Sequence, residues 1–139
     1  MPINELLNRA ALFERFGRYE SALEAVQWLE APPGDEPSAS LNLMRLQVWS
    51  AAGTLHRQLA RYGPAEELHQ RAQALSIEVH GAAADETSMA RNPLGIVYKY
   101  TGQFGQGEAL YREALKNLIE PHGELDSMVA VVYHNLGSV

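Results

Sequence analysis

Residues 61–81, RYGPAEELHQRAQALSIEVHG, are repeated as residues 103–123, QFGQGEALYREALKNLIEPHG, at an offset of 42 positions (103 − 61) and without a gap. Most identical positions carry a small or apolar residue, and two further positions carry rings of similar shape. The identical pairs are Gly63/Gly105, Glu66/Glu108, Leu68/Leu110, Ala72/Ala114, Ile77/Ile119, Glu78/Glu120, His80/His122 and Gly81/Gly123, and the similar pairs are Tyr62/Phe104 and His69/Tyr111. Self-similarity at a period of about 20 to 50 residues indicates a protein built from structural repeats.

Three glycines, Gly53, Gly95 and Gly137, share this spacing. Each lies inside a segment whose apolar pattern predicts a helix, where glycine costs about 1 kcal/mol relative to alanine. Their recurrence at one phase indicates that the absence of a side chain is needed there. We therefore expect two helices to cross closely at these glycines.

Apolar residues recur every three or four positions through most of the chain, which is the spacing of one helix face. In the fourth segment they are Ala65, Leu68, Ala72, Leu75 and Val79. Residues 31–37, APPGDEP, cluster helix breakers and predict a loop. Because no segment alternates as a strand does, the sequence predicts an all-α chain of about seven helices. These cover roughly residues 3–16, 19–29, 38–61, 64–81, 85–100, 106–120 and 126–139.

Capping and breaking residues mark the expected helix ends. The candidate N-caps are Ser38 or Ser40 for the third helix, Asp85, Thr87 or Ser88 for the fifth, and Asp126 or Ser127 for the last. Gly81 closes the fourth helix, and Pro121 with Gly123 stops the sixth. Pro93 falls inside the fifth segment and removes the hydrogen bond to the Met89 carbonyl, so we expect a kink or a broken helix there.

The composition argues against several classes of function. A hydrophobic content of 46% and a charged content of 20% in 139 residues are typical of one folded domain. The formal net charge of −6 disfavours nucleic acid as a partner, because binding it requires clustered Lys and Arg. The absence of cysteine excludes thiolate metal sites and cysteine nucleophiles. We expect a cytoplasmic protein without a secretory signal or membrane span, since the longest apolar run, residues 128–133, is far below about 20 residues.

The five histidines and one glycine-rich stretch are candidates for a chemical site. His80 and His122 occupy one repeated position, and His56 and His69 occupy ring positions of the repeat, so we interpret all four as structural. His134 differs from these four, because its position within the repeat suits contact with a binding partner. Residues 102–107, GQFGQG, resemble a phosphate loop, but no strand precedes them. No serine has a nucleophile motif around it, so we expect no enzymatic activity, no metal and no cofactor.

The recurring residues also match a known family pattern. In residues 85–123 its positions are occupied by Leu94, Gly95, Tyr98, Gly102, Phe104, Gly107, Tyr111 and Ala114, and in residues 40–81 by Trp49, Gly53, His56, Tyr62, Ala65, His69 and Ala72. The chain thereby resembles tetratricopeptide repeats of the 42-residue kind found in kinesin light chains. The resemblance implies a single domain over residues 1–139, an α/α solenoid of antiparallel helix pairs wound as a right-handed superhelix. Its repeats would cover roughly residues 3–30, 40–81 and 85–123, with an incomplete repeat at 126–139.

In such a solenoid the first helices of successive repeats line a concave groove. The resemblance therefore implies a non-catalytic interaction module that binds a peptide or helix of a partner protein in this groove. The implied contact residues are Gln47, Ser50, Thr54, Arg57 and Gln58 from one repeat, Met89, Asn92, Ile96, Lys99 and Tyr100 from the next, and His134 from the last.

Two other functions stay open. The chain is also consistent with a regulatory segment of a larger signalling protein that senses a peptide or ligand. Alternatively, it is a self-assembly module, because the apolar residues of the last helix are expected to pack against a second helix. Either the sequence is an excerpt of a longer array, or another copy covers this end in a homo-oligomer. The apolar residues concerned are Met128, Val131, Val132, Leu136 and Val139.

Overall fold

The computed structural model describes residues 39–137, and all regular structure within this range is helical. The five helices are α1 (Ala39–Gln58), α2 (Tyr62–His80), α3 (Asp85–Tyr100), α4 (Phe104–His122) and α5 (Ser127–Gly137). The all-α prediction is confirmed for these residues. Of the seven predicted helices, the five from the third onward are present, and the first two, together with the Ser38 cap, lie outside the described residues.

The helix ends follow the predicted breakers closely. α2 begins at Tyr62, two residues before the predicted start at Pro64, and α4 ends one residue beyond Pro121. At the start of α5, Asp126 acts as the cap, because its Oδ1 accepts a hydrogen bond from the Met128 backbone N–H at 2.9 Å. α3 starts after Ala84, whose side chain makes no capping bond.

The turn between the two helices of a repeat has the same backbone geometry in both copies. Ala60 and Gly102, which are 42 positions apart, both have positive φ, at 59° and 79°. Each is followed by a residue whose N–H bonds a carbonyl five residues earlier, which is a Schellman-type helix ending. These bonds join Arg61 N to His56 O at 2.8 Å and Gln103 N to Tyr98 O at 2.8 Å. The 42-residue period therefore extends to individual backbone hydrogen bonds.

Backbone contacts divide the chain into two compact units, Met1–Ala72 and Gln73–Val139. In the described part of the first unit the buried apolar residues are Val48, Ala52, Leu55, Ala65, Leu68 and Ala72. In the second unit α3 packs along α4, and α4 packs against α5. Its core is formed by Tyr111, Ala114, Leu115, Leu118, Val129 and Val132, with Ile96, Ile119, Met128 and Leu136 packed against it.

The predicted close crossings are present at two of the three repeated glycines. A Cβ placed on Gly53 would lie 2.7 Å from the His69 ring, and one placed on Gly95 would lie 2.5 Å from the Tyr111 ring. Real Cβ atoms do not approach other atoms so closely, so both positions require glycine. A Cβ on Gly137 would meet nothing within 4 Å. The expectation is therefore confirmed at Gly53 and Gly95, and the described structure shows no such crossing at Gly137.

Helix α3 runs unbroken through Pro93, so the expectation of a broken helix is wrong. The physical reason is that side chains ahead of the proline tie α3 to the preceding loop. The Thr87 hydroxyl donates to the Gly81 carbonyl at 2.6 Å, and the Arg91 guanidinium donates to the Ala82 carbonyl at 2.9 Å. These tertiary contacts offset the backbone hydrogen bond that proline cannot make.

Candidate partner-binding surface

The five α1 residues implied by the family resemblance lie outside the buried stripe of their helix. Gln47, Ser50, Thr54 and Arg57 follow one another at three or four positions and Gln58 is next to Arg57, which places all five along one side of α1, while Val48, Ala52 and Leu55 form its buried side. Two of the five are exposed and the other three are half-buried. The exposed pair is Gln47 and Gln58, and the half-buried residues are Ser50, Thr54 and Arg57.

The five α3 residues divide into a structural and an accessible group. Ile96 packs against the core cluster of α4 and α5, and Asn92 is buried at 8% exposure. Met89 and Lys99 are half-buried, and Tyr100 is 55% exposed. The accessible side chains on this helix are therefore concentrated at its C-terminal end.

Asn92 is engaged by a residue that the sequence analysis did not select. The Asn135 amide of α5 donates a hydrogen bond to Asn92 Oδ1 at 2.8 Å. The two residues are 43 positions apart, one more than the period, so Asn135 follows directly after His134, the repeat equivalent of Asn92. Their spacing is the signal that would have identified the pair. A buried amide pair of this kind aligns α3 with α5.

An aromatic and cationic group lies where α3 turns into α4. The Lys99 ammonium is 5.8 Å from the centroid of the Tyr100 ring, within the range of a cation–π contact. Phe104, at the start of α4, is 52% exposed. The exposed Tyr100 ring beside a cation suits contact with apolar and anionic groups of a partner. Phe104 was identified from the sequence only as a ring position of the repeat.

Arg91 is a second residue that sequence reasoning missed. It stands 42 positions after Trp49, at a framework position of the repeat, and is 5% exposed. Its guanidinium and the Asn117 amide both donate to the Ala82 carbonyl, at 2.9 and 3.4 Å. This carbonyl follows the C-terminal end of α2, where cations are favoured by the helix dipole. Arg91 therefore stabilises the inter-repeat turn.

His56 and His69 are buried, in agreement with their framework positions. Burial, with a smaller contribution from the positive charge of Arg57, lowers the pKa of His69 to about 4. The Nε2 atom of His69 has no hydrogen-bond partner in the structure. His69 is therefore a neutral packing ring near pH 7, which excludes it as a proton donor to a partner.

His122 and Asp85 form a brace between the end of α4 and the start of α3, with His122 Nε2 2.5 Å from Asp85 Oδ2. The repeated histidine, His80, lacks this arrangement because the position equivalent to Asp85 is Leu43. Within residues 39–137, no three His, Asp or Glu side chains are grouped so that they could hold a metal ion. No helix in this range combines the length and apolar character needed to cross a bilayer.

His134, the last of the implied contact residues, is exposed on α5. The side of α5 that carries Val129 and Val132 is buried in the core, whereas Val131 and Tyr133 are 47% and 44% exposed. His134 therefore lies among accessible apolar side chains. Its neighbour Asn135 faces α3 through the amide pair with Asn92.

Comparisons with known proteins agree with this architecture. Among the solved structures that match is the crystal structure of BtubC (BKLC) from P. vanneervenii, with a TM-score of 0.77 and 25% sequence identity. The alignment covers 93% of this chain and 50% of that one, so the chain spans half the length of BtubC. A comparison with curated protein sequences found no match. A family model described as a tetratricopeptide repeat matches residues 44–120, which is more than half of the sequence. The chain therefore belongs to the tetratricopeptide repeat family, as a repeat of the 42-residue, kinesin-light-chain-like kind.

Proposed function

We propose that this chain is a non-catalytic interaction module that binds a peptide or helix of a partner protein along the first helices of its repeats. Tetratricopeptide repeats in general mediate protein–protein interaction and are not catalysts. The proposed surface is the side of α1 and of α3 that the family resemblance assigns to the concave groove of a right-handed solenoid. Its residues on α3 are Met89, Asn92, Ile96, Lys99 and Tyr100, and His134 stands on α5.

The observation that carries this proposal is the recurrence of a cation at one position of the repeat. Arg57 and Lys99 are 42 positions apart, each near the C-terminal end of a first helix, and neither is buried. Each is followed by a long, exposed side chain, Gln58 or Tyr100. A carboxylate of a partner segment would pair with the cation at either position.

The remaining α3 residues would contribute shape and a few polar contacts. The Tyr100 ring offers a large apolar face, and Met89 offers a flexible apolar side chain that can adapt to different partner surfaces. Asn92 is buried and accepts a hydrogen bond from Asn135, so it would contribute by holding α3 against α5. This combination suits an extended or helical segment with an aromatic or aliphatic anchor beside acidic residues.

Selection of peptides from a random display library against the whole chain tests the proposal. We expect the selected peptides to carry carboxylates, and we expect Lys99→Glu and Arg57→Glu each to weaken their binding about tenfold, which is about 1.4 kcal/mol. The matched control is Lys116→Glu, a charge reversal at an exposed residue of α4. It should leave the affinity unchanged, and all three variants should keep the wild-type melting temperature within a few degrees.

A selected peptide whose affinity is the same for wild type and for the Arg57→Glu/Lys99→Glu double variant would refute this surface. Equal weakening by Lys116→Glu would show that net charge, and not these two positions, determines binding. Tyr100→Ala provides an uncharged readout, because it removes the aromatic face without altering net charge.

A further inference from the structure

The proline at position 93 leaves one backbone carbonyl of α3 without its helical donor. In an α-helix each N–H donates to the carbonyl four residues earlier, and proline has no N–H. Because α3 continues through Pro93 to Tyr100, the carbonyl of Met89 lacks this partner within a continuous helix. The corresponding carbonyl of α1, on Gln47, has a donor available because residue 51 is alanine. The gap is therefore a property of α3 and not of the repeat.

This carbonyl belongs to the accessible side of α3. Met89 and Pro93 are both half-buried, whereas Arg91 and Asn92 between them are buried. At 3.6 residues per turn, Met89, Pro93 and Tyr100 fall within about 40° of one another around the helix axis. A helical carbonyl points towards the residue four positions later, so the Met89 oxygen is directed towards Pro93 on this side. It is therefore placed to contact water or a bound partner.

The charges on α3 differ between its two ends. The first turn carries Asp85 and Glu86, and the last turn carries Lys99. Asp85 is engaged by His122, while Glu86 is exposed and stands three positions before Met89, which makes them neighbours on the helix surface. A carbonyl oxygen near a carboxylate favours a donor that carries positive charge, because both groups attract it. The N-terminal half of α3 thus suits a cation, and its C-terminal end suits an anion.

We propose that the partner segment places a lysine or arginine side chain on the Met89 carbonyl while a carboxylate of the same segment pairs with Lys99. This inference rests on the proposed function, because it assigns a second contact to the same surface. Met89 and Lys99 are 10 positions apart (99 − 89), which is about 15 Å along the helix. An extended segment covers this distance in about four or five residues, so its two charges should have that spacing.

Peptides selected from a random linear library against the whole chain provide the test. We expect them to carry a cation about four or five positions from a carboxylate. Replacing this lysine or arginine by norleucine should weaken binding to the wild-type chain about tenfold. Pro93→Ala supplies the missing N–H to the Met89 carbonyl, so it should weaken the unaltered peptide about fivefold. In Pro93→Ala the effect of norleucine should then shrink to about twofold, because the contact that it removes is already weakened.

Pro121→Ala is the matched control. Pro121 lies inside the last turn of α4, so this substitution supplies the same kind of N–H away from the proposed surface and should leave the affinity unchanged. Neither alanine variant should lower the melting temperature, because alanine favours a helix more than proline does. Weaker binding by Pro93→Ala therefore cannot result from unfolding. Glu86→Gln should weaken the cationic peptide and leave the norleucine peptide unaffected.

The outcomes separate this inference from the proposed function. Peptides that depend on Lys99 but bind wild type and Pro93→Ala equally would overturn the inference and leave the proposed function standing. An undiminished norleucine effect in Pro93→Ala, or equal weakening by Pro121→Ala, would do the same. Peptides that depend on Pro93 but not on Arg57 or Lys99 would instead refute the charged surface of the proposed function. A library that yields no binding peptide would count against both.

Discussion

Acidification from pH 7 to pH 5 should destabilise the folded chain through one residue, His69. This ring is 1% exposed and lies against Gly53, where burial, with a smaller contribution from the charge of Arg57, lowers its pKa to about 4. In the unfolded chain a histidine has a pKa of about 6.5. Between these two values the unfolded state binds a proton that the folded state does not bind.

The size of the effect follows from this difference. Stability falls with decreasing pH wherever the unfolded state binds more protons, so the loss begins near pH 6.5 and is complete below pH 4. At pH 5 it amounts to about 2 kcal/mol relative to pH 7, and its limit is about 3 kcal/mol. This is a substantial part of the roughly 5 to 15 kcal/mol that stabilises a typical domain.

Urea unfolding at pH 7, 6 and 5 measures the loss, which should lower the midpoint by about 1 M between pH 7 and pH 5. His69→Phe keeps a ring against Gly53 but cannot bind a proton, so most of the slope with pH should disappear. His134→Gln is the matched control, because it removes an exposed histidine and should retain the wild-type slope. Imidazole NMR of the folded chain gives the His69 pKa directly.

A His69 pKa near 6.5 in the folded chain would refute the reasoning, because it would mean that water reaches the ring. A pH slope that is the same in wild type and His69→Phe would also refute it. Arg57→Gln separates the effect of burial from that of the Arg57 charge. It removes only the charge, which is the smaller cause, so the pKa of His69 should rise but stay below 6.5.

Five further substitutions test the packing and the turns. Gly95→Ala should lower the free energy of unfolding in urea by about 1 to 3 kcal/mol, because its Cβ would overlap a ring, whereas Gly105→Ala has open space and should be neutral or slightly stabilising. Ala60→Gly should raise the thermal unfolding midpoint, because glycine tolerates the positive φ of 59° better than alanine. Gly102→Ala should lower the free energy of unfolding by about 1 kcal/mol, because it places alanine at a positive φ. A change of stability in the same direction for both substitutions would contradict this reasoning. Asn92→Ala removes the amide pair between α3 and α5 and should cost about 1 kcal/mol in the same urea assay, and an unchanged midpoint would show that the pair contributes nothing.

The helices and their crossings were predictable because they depend on patterns within the printed sequence. A glycine that recurs every 42 positions against the trend of helix propensity has few explanations besides a close contact, and Gly53 and Gly95 confirm that explanation. The family was predictable for the same reason, since its defining residues are framework residues. The single-domain prediction, by contrast, is not tested by the described residues.

Other features depend on side chains that meet only in the folded chain. Nothing near Pro93 in the sequence indicates that Thr87 and Arg91 hold α3 to the preceding loop, and the local rule for proline therefore predicted a break. Ile96 and Asn92 were assigned to an accessible groove by phase alone. Their burial depends on α4 and α5. On α1, Val48, Ala52 and Leu55 form the buried side, and the five contact residues implied by the resemblance lie outside it.

The unbroken passage of α3 through Pro93 has a consequence for motion. Pro93 has no amide hydrogen, so the helical ladder lacks one rung at the Met89 carbonyl, and side-chain bonds from Thr87 and Arg91 add to the backbone bonds that hold the first turns of α3. Amides of these first turns should therefore exchange with deuterium sooner than those around Val97, which sits fully buried beyond the gap. Transient opening of this short stretch would loosen the amide pair of Asn92 with Asn135 while the C-terminal half of α3 stays packed on α4.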